Sequence, residues 1–354
     1  MARMKKVLIV EDSTLLSRVL RDTFSKVTNL EVVGVAMSSK EAWELFQKTR
    51  PDVVSLDLLL PDGSGFDLLK RIMKERPTPV VIISSMTGET ARETFKAYEM
   101  GAADVIEKPK NVLDPTAKVA LSRMGSRVLR SADANINVLR DLALNKEGPK
   151  KELKKIDQSN RPAKKIILIA SSTGGPQILT QMMPRFGNLK SIGIVIVQHI
   201  PAFFSATLAQ RLDRLCPYKV REAVNGEVVK EGTCLVATGG VHLEASVEEK
   251  GLVRVKTTNG PSVKGVKPSA DITFRSFAEY VDLPTVGIVL TGMGSDGTDG
   301  VVALKKKGVK IISQSKETCV VYGMPRSVEE MGLSNHVLSH LDIPKKAKKI
   351  IDQG

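Results

Sequence analysis

Cysteine, aromatic residues and long apolar runs are all scarce in this chain, and each scarcity removes a class of protein. Cys216, Cys234 and Cys319 are its only cysteines, widely spaced and without a CxxC pair. Neither a disulfide scaffold nor a thiolate zinc site is expected, and a reducing cytoplasm fits. Aromatic residues make up 4% of the chain, which leaves little for stacking on nucleic-acid bases. No apolar run approaches the roughly 18 residues of a membrane span. The opening MARMKKVLIVEDS sets basic residues before an apolar run, but Glu11 and Asp12 end it after four residues. That is too early for a signal peptide, so a soluble chain with no membrane insertion is expected.

What the chain has in excess is positive charge, +14 formally. A clustered basic face would point to phosphate backbones, yet the distribution argues against one. Residues 127 to 165 hold eleven Lys/Arg against five Asp/Glu, and KKAKK at 345 to 349 adds four more. Charge gathered in a linker and a tail reads as solvated chain. No helix-turn-helix pattern or aromatic-basic interleaving supports a nucleic-acid partner, and none is expected.

At 354 residues and 42% hydrophobic content, two cores of ordinary size are expected. The first 110 residues alternate VLIV (7–10), VVGVA (32–36), VVSL (53–56), VVII (80–83) and DVIEKP (104–109) with amphipathic segments. That rhythm predicts a parallel, doubly wound α/β sheet. In SSKEAWELF, Ser38 reads as an N-cap with Glu41 as its capping-box partner. From about 127 to 162 the apolar runs thin, and EGPKKELKKIDQSNRPAKK reads as a linker, partly helical early on. Apolar runs return at IILIA (166–170), GIVIV (193–197), VGIVL (286–290) and VKIIS (309–313), so the second domain is α/β too. Turn signals at Asn225-Gly226 and Lys250-Gly251, with an alternating LVRVK, predict a β-hairpin insertion. The expected domains are 1–125, a basic linker 126–162, and 163–354.

Ligands of parallel sheets gather outside the carboxyl ends of the strands. In the first domain those ends carry Glu11 and Asp12, Asp57, Ser84, and Lys108 followed by Pro109. Three carboxylates at one edge repel unless a cation sits among them, and an all-oxygen set suits Mg²⁺. Asp57 is then a carboxylate nucleophile toward a phosphoryl group, with Ser84 and Lys108 placed to contact its oxygens. The ED, DLLLPDGSG, SS and EKP segments resemble a response-regulator receiver domain over about 125 residues. The resemblance implies a flavodoxin-like fold and phosphotransfer to Asp57 from a chemotaxis histidine kinase. Val105 departs from it, standing where receivers usually carry a switching Phe or Tyr.

In the second domain the strand ending at Ala170 delivers Ser171, Ser172 and Thr173, then Gly174-Gly175 and Pro176, a favoured first-turn helix residue. GIVIV delivers Gln198 and His199. VGIVL delivers Thr291 and GMGSDG with Asp296. This is the inventory of a Ser-His-Asp triad, beside backbone N–H groups at a helix start that can hold an oxyanion. The residues alone leave open which serine acts. GMGSDGTDG lacks the Gly-Lys-Ser/Thr of a phosphate loop, and no GxSxG elbow is present. His242 follows Gly239-Gly240 in an expected turn, where it either borders the pocket or, the favoured reading, is structural; His336 and His340 read as surface residues.

The segments SSTGGP, VQHIP, TGGVHL, KPSADITFRS, LTGMGSDG and VVYGMPRSV resemble, in order, the chemotaxis protein-glutamate methylesterase family, CheB, and with the receiver the resemblance spans essentially the whole chain. It implies a Rossmann-like three-layer catalytic domain that hydrolyses glutamyl methyl esters of methyl-accepting chemoreceptors, and often deamidates receptor glutamines, in the cytoplasm. It places the nucleophile on Ser172, the base on His199 and the orienting acid on Asp296. Thr173 and Met293 then supply oxyanion N–H groups, and no cofactor is implied for hydrolysis. In this reading the unphosphorylated receiver lies over the catalytic sheet edge and inhibits it. Ala170 and Ser171 depart from the family's usual Gly and Ala. The rival is a non-enzymatic regulator whose output domain only docks partners.

Overall fold

The computed structural model describes residues 3–85, 88–109, 111, 114, 117–144, 160–248 and 252–353. The chain divides into two compact units, Met1–Lys146 and Glu147–Gly354.

The first unit runs β1 (Lys5–Val10), α1 (Thr14–Ser25), β2 (Leu30–Ala36), α2 (Ser39–Thr49), β3 (Val53–Leu56), the two-residue strands β4 (Leu59–Leu60) and β5 (Gly63–Ser64), α3 (Gly65–Glu75), β6 (Val80–Ser84), α4 (Gly88–Glu99), β7 (Asp104–Glu107), α5 (Ala117–Ser131) and α6 (Ile136–Leu144). Five strands form one parallel sheet in the order β2-β1-β3-β6-β7, the doubly wound arrangement expected. Its inner strands β1, β3 and β6 are buried on both faces over most of their length because helices cover both, hence the near-continuous Val/Ile runs. Ser38 caps α2 by accepting from Glu41 N at 3.2 Å. In return the Glu41 carboxylate accepts from Met37 N at 2.8 Å, one residue earlier than in a strict capping box. Asp62, in the PDG turn, accepts from Ser39 N and Lys40 N at 2.7 and 2.9 Å and so ties the loop after β3 to the start of α2.

The first unit does not stop at 125. α5 buries Met124, Val128 and Ser131, and α6 follows with Leu139 buried. The expected linker therefore begins later than 126. Part of its charge is structural: Arg127 donates from Nε to Asp104 Oδ2 at 2.9 Å and from a terminal nitrogen to Oδ1 at 2.7 Å. The early helicity expected there is present, but the thin apolar content of 127–144 hid the packing of these helices because few residues per turn face the core. The lysine-rich stretch 145–159 and the Lys250-Gly251 turn lie outside the described residues.

The second unit runs β8 (Lys165–Ser171), α7 (Gly175–Met182), a 3₁₀ turn (Met183–Phe186), β9 (Ile192–Gln198), α8 (Ala202–Leu215), β10 (Lys219–Glu222), β11 (Glu227–Val228), β12 (Thr233–Val236), β13 (His242–Val247), β14 (Val253–Thr258), α9 (Ala270–Tyr280), β15 (Thr285–Val289), α10 (Thr298–Lys306), β16 (Lys310–Gln314), a second 3₁₀ turn (Lys316–Thr318), α11 (Met324–Glu330), β17 (His336–Leu338) and α12 (Ile343–Gln353). Seven parallel strands lie in the order β10-β12-β9-β8-β15-β16-β17. Three of them, β10, β12 and β17, are additions to the expected set. Each is short, and β12 lies inside the stretch that reads as insertion. In this unit β11, β14 and β13 form a separate antiparallel sheet. The C-terminal KKAKK is not a free tail. It belongs to α12, which buries Ile343, Pro344, Ala347 and Ile351, while Lys348 Nζ reaches the carbonyls of Phe186 and Asn188 at 3.1 and 2.9 Å.

Candidate active site

In the first unit, Glu11 follows β1 and Asp57 follows β3, on adjacent strands. Gly65 lets the loop close beneath Asp57, because a Cβ there would stand 2.3 Å from the Asp57 carbonyl oxygen. Lys108, beyond β7, sends its ammonium to Asp57 Oδ2 at 2.6 Å and Glu11 Oε2 at 2.8 Å. Burial raises the Glu11 carboxyl above its ordinary value, against the opposing pull of Lys108. Burial alone would lower Lys108, but its bonds to Asp57 and Glu11 outweigh that and raise it. One oxygen each from Glu11, Asp12 and Asp57 lies within 4.8 Å of the other two. Two of the three are buried and Asp12 is exposed. This set fits Mg²⁺, which takes oxygen ligands and keeps several waters. Ser84 ends β6, buried, with its hydroxyl 3.4 Å from Ser85 O. Its own carbonyl accepts from Lys108 N at 3.0 Å, so Ser84 and Lys108 adjoin on neighbouring strands. Val105 is buried on β7.

In the second unit the serine doublet separates. Ser171 is the last residue of β8, fully buried, and its hydroxyl donates to Gln198 Oε1 at 2.7 Å. Ser172 is the first residue beyond the strand and is only partly buried; its hydroxyl makes no hydrogen bond among the described residues. The same Gln198 side chain donates from Nε2 to the carbonyls of Ser172 and His199 at 2.9 and 3.0 Å. Since Ser171 pairs with Gln198 across β8 and β9, Ser172 and His199 emerge side by side. Gly175 makes room for that amide, as a Cβ there would stand 2.0 Å from Gln198 Oε1. α7 then begins with Pro176 in its first turn.

His199 Nε2 lies 2.7 Å from Asp296 Oδ2. A carboxylate only accepts, so Nε2 carries a proton, and in the neutral ring Nδ1 keeps its lone pair. Nδ1 is buried without a hydrogen-bond partner among the described residues. Asp296 is held at the N-terminus of α9. Ser269 Oγ donates to Oδ1 at 2.6 Å, Ala270 N to Oδ2 at 2.6 Å and Asp271 N to Oδ1 at 3.3 Å. Burial alone would raise this carboxyl, but the bonds and charge of His199, with Ser269 and Ala270, bring it down to about 2. The positive end of the helix dipole favours the same ionised form. The loop carrying Asp296 is pinned by Lys264, whose ammonium meets Asp271 Oδ2 at 2.8 Å and Asp299 Oδ2 at 3.0 Å.

Met293 follows Gly292, which packs against Ser172: a Cβ at Gly292 would stand 2.7 Å from Ser172 Cβ and 2.3 Å from Met324 Sδ. The Met293 N–H donates no hydrogen bond among the described residues. Thr291 Oγ1 lies 3.0 Å from Thr173 O, and Thr291 N donates to Gln314 Oε1 at 2.7 Å, so the β15 loop and the start of α7 are tied together. The sequence reading missed the parts played by Gln198, Ser269, Thr291 and Gln314. Only Ser269 carried a local signal, as a serine immediately before the helix ADITF. His242 is not in a turn but opens β13. His340 is buried rather than on the surface, with Nε2 3.0 Å from Gln181 Oε1; burial lowers it to about 4.

Two doubly wound units, one with an aspartate and lysine in an acidic pocket and one with a serine beside a histidine–aspartate pair, define a response regulator with a hydrolase-type output unit. Among the described residues no helix is long and apolar enough to cross a membrane. A family model described as the response regulator receiver domain matches residues 7–119, and one described as CheB methylesterase matches residues 167–347. The chain is 38% identical over 354 residues to the protein-glutamate methylesterase/protein-glutamine glutaminase of Pyrococcus horikoshii, covering 99% of this chain and 95% of that one. It is 36% identical over 357 residues to the protein of the same name from Symbiobacterium thermophilum, covering 99% and 98%. The crystal structure of the Thermotoga maritima CheB methylesterase catalytic domain aligns with 55% of this chain and 100% of its own, at 37% identity and a TM-score of 0.49. The chain belongs to the CheB methylesterase family.

Proposed function

We propose that this chain hydrolyses glutamyl methyl esters of chemoreceptors, and deamidates receptor glutamines, under control of phosphorylation at Asp57. The observation that carries the reading is the His199–Asp296 bond at 2.7 Å, with Ser172 beside the histidine at the adjacent strand end. Nδ1 of His199 is the base. Ser172 Oγ attacks the ester carbonyl carbon as its proton passes to Nδ1, and the tetrahedral oxyanion accepts from the N–H groups of Thr173 and Met293. The C–O bond then breaks, His199 returns the proton, and methanol leaves. Water, deprotonated by the same nitrogen, attacks the acyl-enzyme and releases glutamate and Ser172. From a glutamine, ammonia leaves in place of methanol. Each well-aligned oxyanion donor is worth about 3 kcal/mol. Asp296, kept ionised by its donors, holds the ring in the reactive tautomer and stabilises the imidazolium.

In the first unit, Asp57 accepts a phosphoryl group from a chemotaxis histidine kinase, with Lys108 and Ser84 contacting the phosphoryl oxygens. Mg²⁺ held by Glu11, Asp12 and Asp57 would shield the incoming negative charge. Phosphorylation shifts the enzyme from an inhibited to an active population. Methanol release from methylated receptor membranes, with and without acetyl phosphate and Mg²⁺, tests both halves. Release that rises with acetyl phosphate in the wild type and not in Asp57→Ala is the expected result. No release under either condition would leave the partner-docking alternative.

A further inference from the structure

His242 has no part in the chemistry just described, yet it is fully buried and both ring nitrogens are engaged. Ser269 N donates to Nδ1 at 3.2 Å, and Nε2 lies 2.9 Å from Pro261 O. A carbonyl can only accept, so the ring is neutral with its proton on Nε2. The residue it grips through the backbone, Ser269, is the one whose hydroxyl holds Asp296. The bond is also the end of a series. Along α9, Thr273 Oγ1 donates to Leu243 O at 2.6 Å and Ser276 Oγ accepts from Ala245 N at 2.8 Å. Positions 269, 273 and 276 share one helix face, and β13 meets that face at 242, 243 and 245.

We propose that His242 is a positioning residue for the Asp296–His199 pair: by fixing the Ser269 backbone it aims the Ser269 hydroxyl and the first N–H groups of α9 at the Asp296 carboxylate. The proposal rests on the proton-transfer role given to that pair. The bonds at Thr273 and Ser276 hold α9 on β13 without His242, so its replacement alters the aim of the first turn while the helix stays docked. Among the described residues, the charged groups linked to the first turn of α9 are Asp271, its partner Lys264, Asp299, and Arg275, which meets Asp299 at 3.2 Å. All are shared by every variant below.

Two substitutions divide the two bonds. In His242→Asn the amide oxygen falls near the place of Nδ1 and keeps the bond to Ser269. In His242→Gln the amide falls near Nε2 and keeps only the bond to Pro261. Steady-state methanol release should show kcat of His242→Gln down about tenfold, because small misplacements of reacting groups are costly, with KM within about twofold. His242→Asn should stay within about threefold of wild type in kcat. Nitrogen-15 NMR titration of the His199 ring should show a displaced midpoint in His242→Gln and in Ser269→Ala, and a near-native one in His242→Asn. Equal kcat in all three His242 forms, impairment of Asn equal to that of Gln, or an unmoved His199 titration in both His242→Gln and Ser269→Ala overturns the proposal. The titration needs no turnover, so it reads the proposal even if Ser172→Ala retains activity and the nucleophile assignment fails.

Discussion

In both units the reactive residues gather around the point where the strand order reverses, β1 and β3 in the first and β8 and β15 in the second, with His199 one strand further out at the end of β9. At the first point Glu11 and Asp57 are buried together against one lysine, and burial pushes the Glu11 carboxyl up. At the second a single buried carboxylate, Asp296, is surrounded by donors and driven down to about 2. Sheet topology thus chooses the place, and the ratio of donors to carboxylates chooses the chemistry. Excess carboxylate suits a metal and a phosphoryl group. A carboxylate saturated with donors suits a fixed counter-charge for a histidine.

Asp57→Ala should separate the two sites most completely. It should abolish labelling by acetyl phosphate and leave unstimulated methanol release intact; labelling equal to wild type would move the phosphosite elsewhere. In the second unit, Asp296→Asn should lower kcat by about 10⁴-fold, as loss of the orienting acid does in serine hydrolases, while acetyl phosphate labelling persists. Gly292→Ala should be milder, about 10- to 100-fold in kcat, because the new methyl must displace Met324 Sδ and Ser172 Cβ.

The carboxylates differ in pH response as well. Asp296 lies below its ordinary value, so the stability it contributes is present above about pH 4. That contribution is lost as pH falls toward about 2. The gap in urea midpoint between wild type and Asp296→Asn should therefore close over that window. Glu11 lies above 4.5, so Mg²⁺ affinity, read by calorimetry, should already weaken at a pH where an ordinary glutamate is still ionised.

Both sheets were legible because buried parallel strands are written as unbroken Val/Ile runs, and the strand-end rule brought out Asp57, Lys108, His199 and Asp296 as candidates. Short strands were not legible. β10 and β17 have four and three residues, too few to show a period. Early helicity after about 127 was legible, but the packing of α5 and α6 onto the first unit was not, because their charged outer faces resemble linker. Ser269, Gln198 and Thr291 act through hydrogen bonds that mostly join segments distant in sequence, and no local pattern records such bonds. The doublet was ambiguous for a related reason. Which of two adjacent hydroxyls faces out depends on where β8 ends, and strand ends are set by pairing with β9 and β15.

Ser171 and Ser172 give the most direct test of the account. Methanol release from methylated receptor membranes should vanish in Ser172→Ala with the fold intact. In Ser171→Ala it should stay within a few-fold of wild type, with stability lowered by about 1–3 kcal/mol because Gln198 Oε1 loses its donor. Turnover retained in Ser172→Ala, or abolished in a folded Ser171→Ala, would contradict the account.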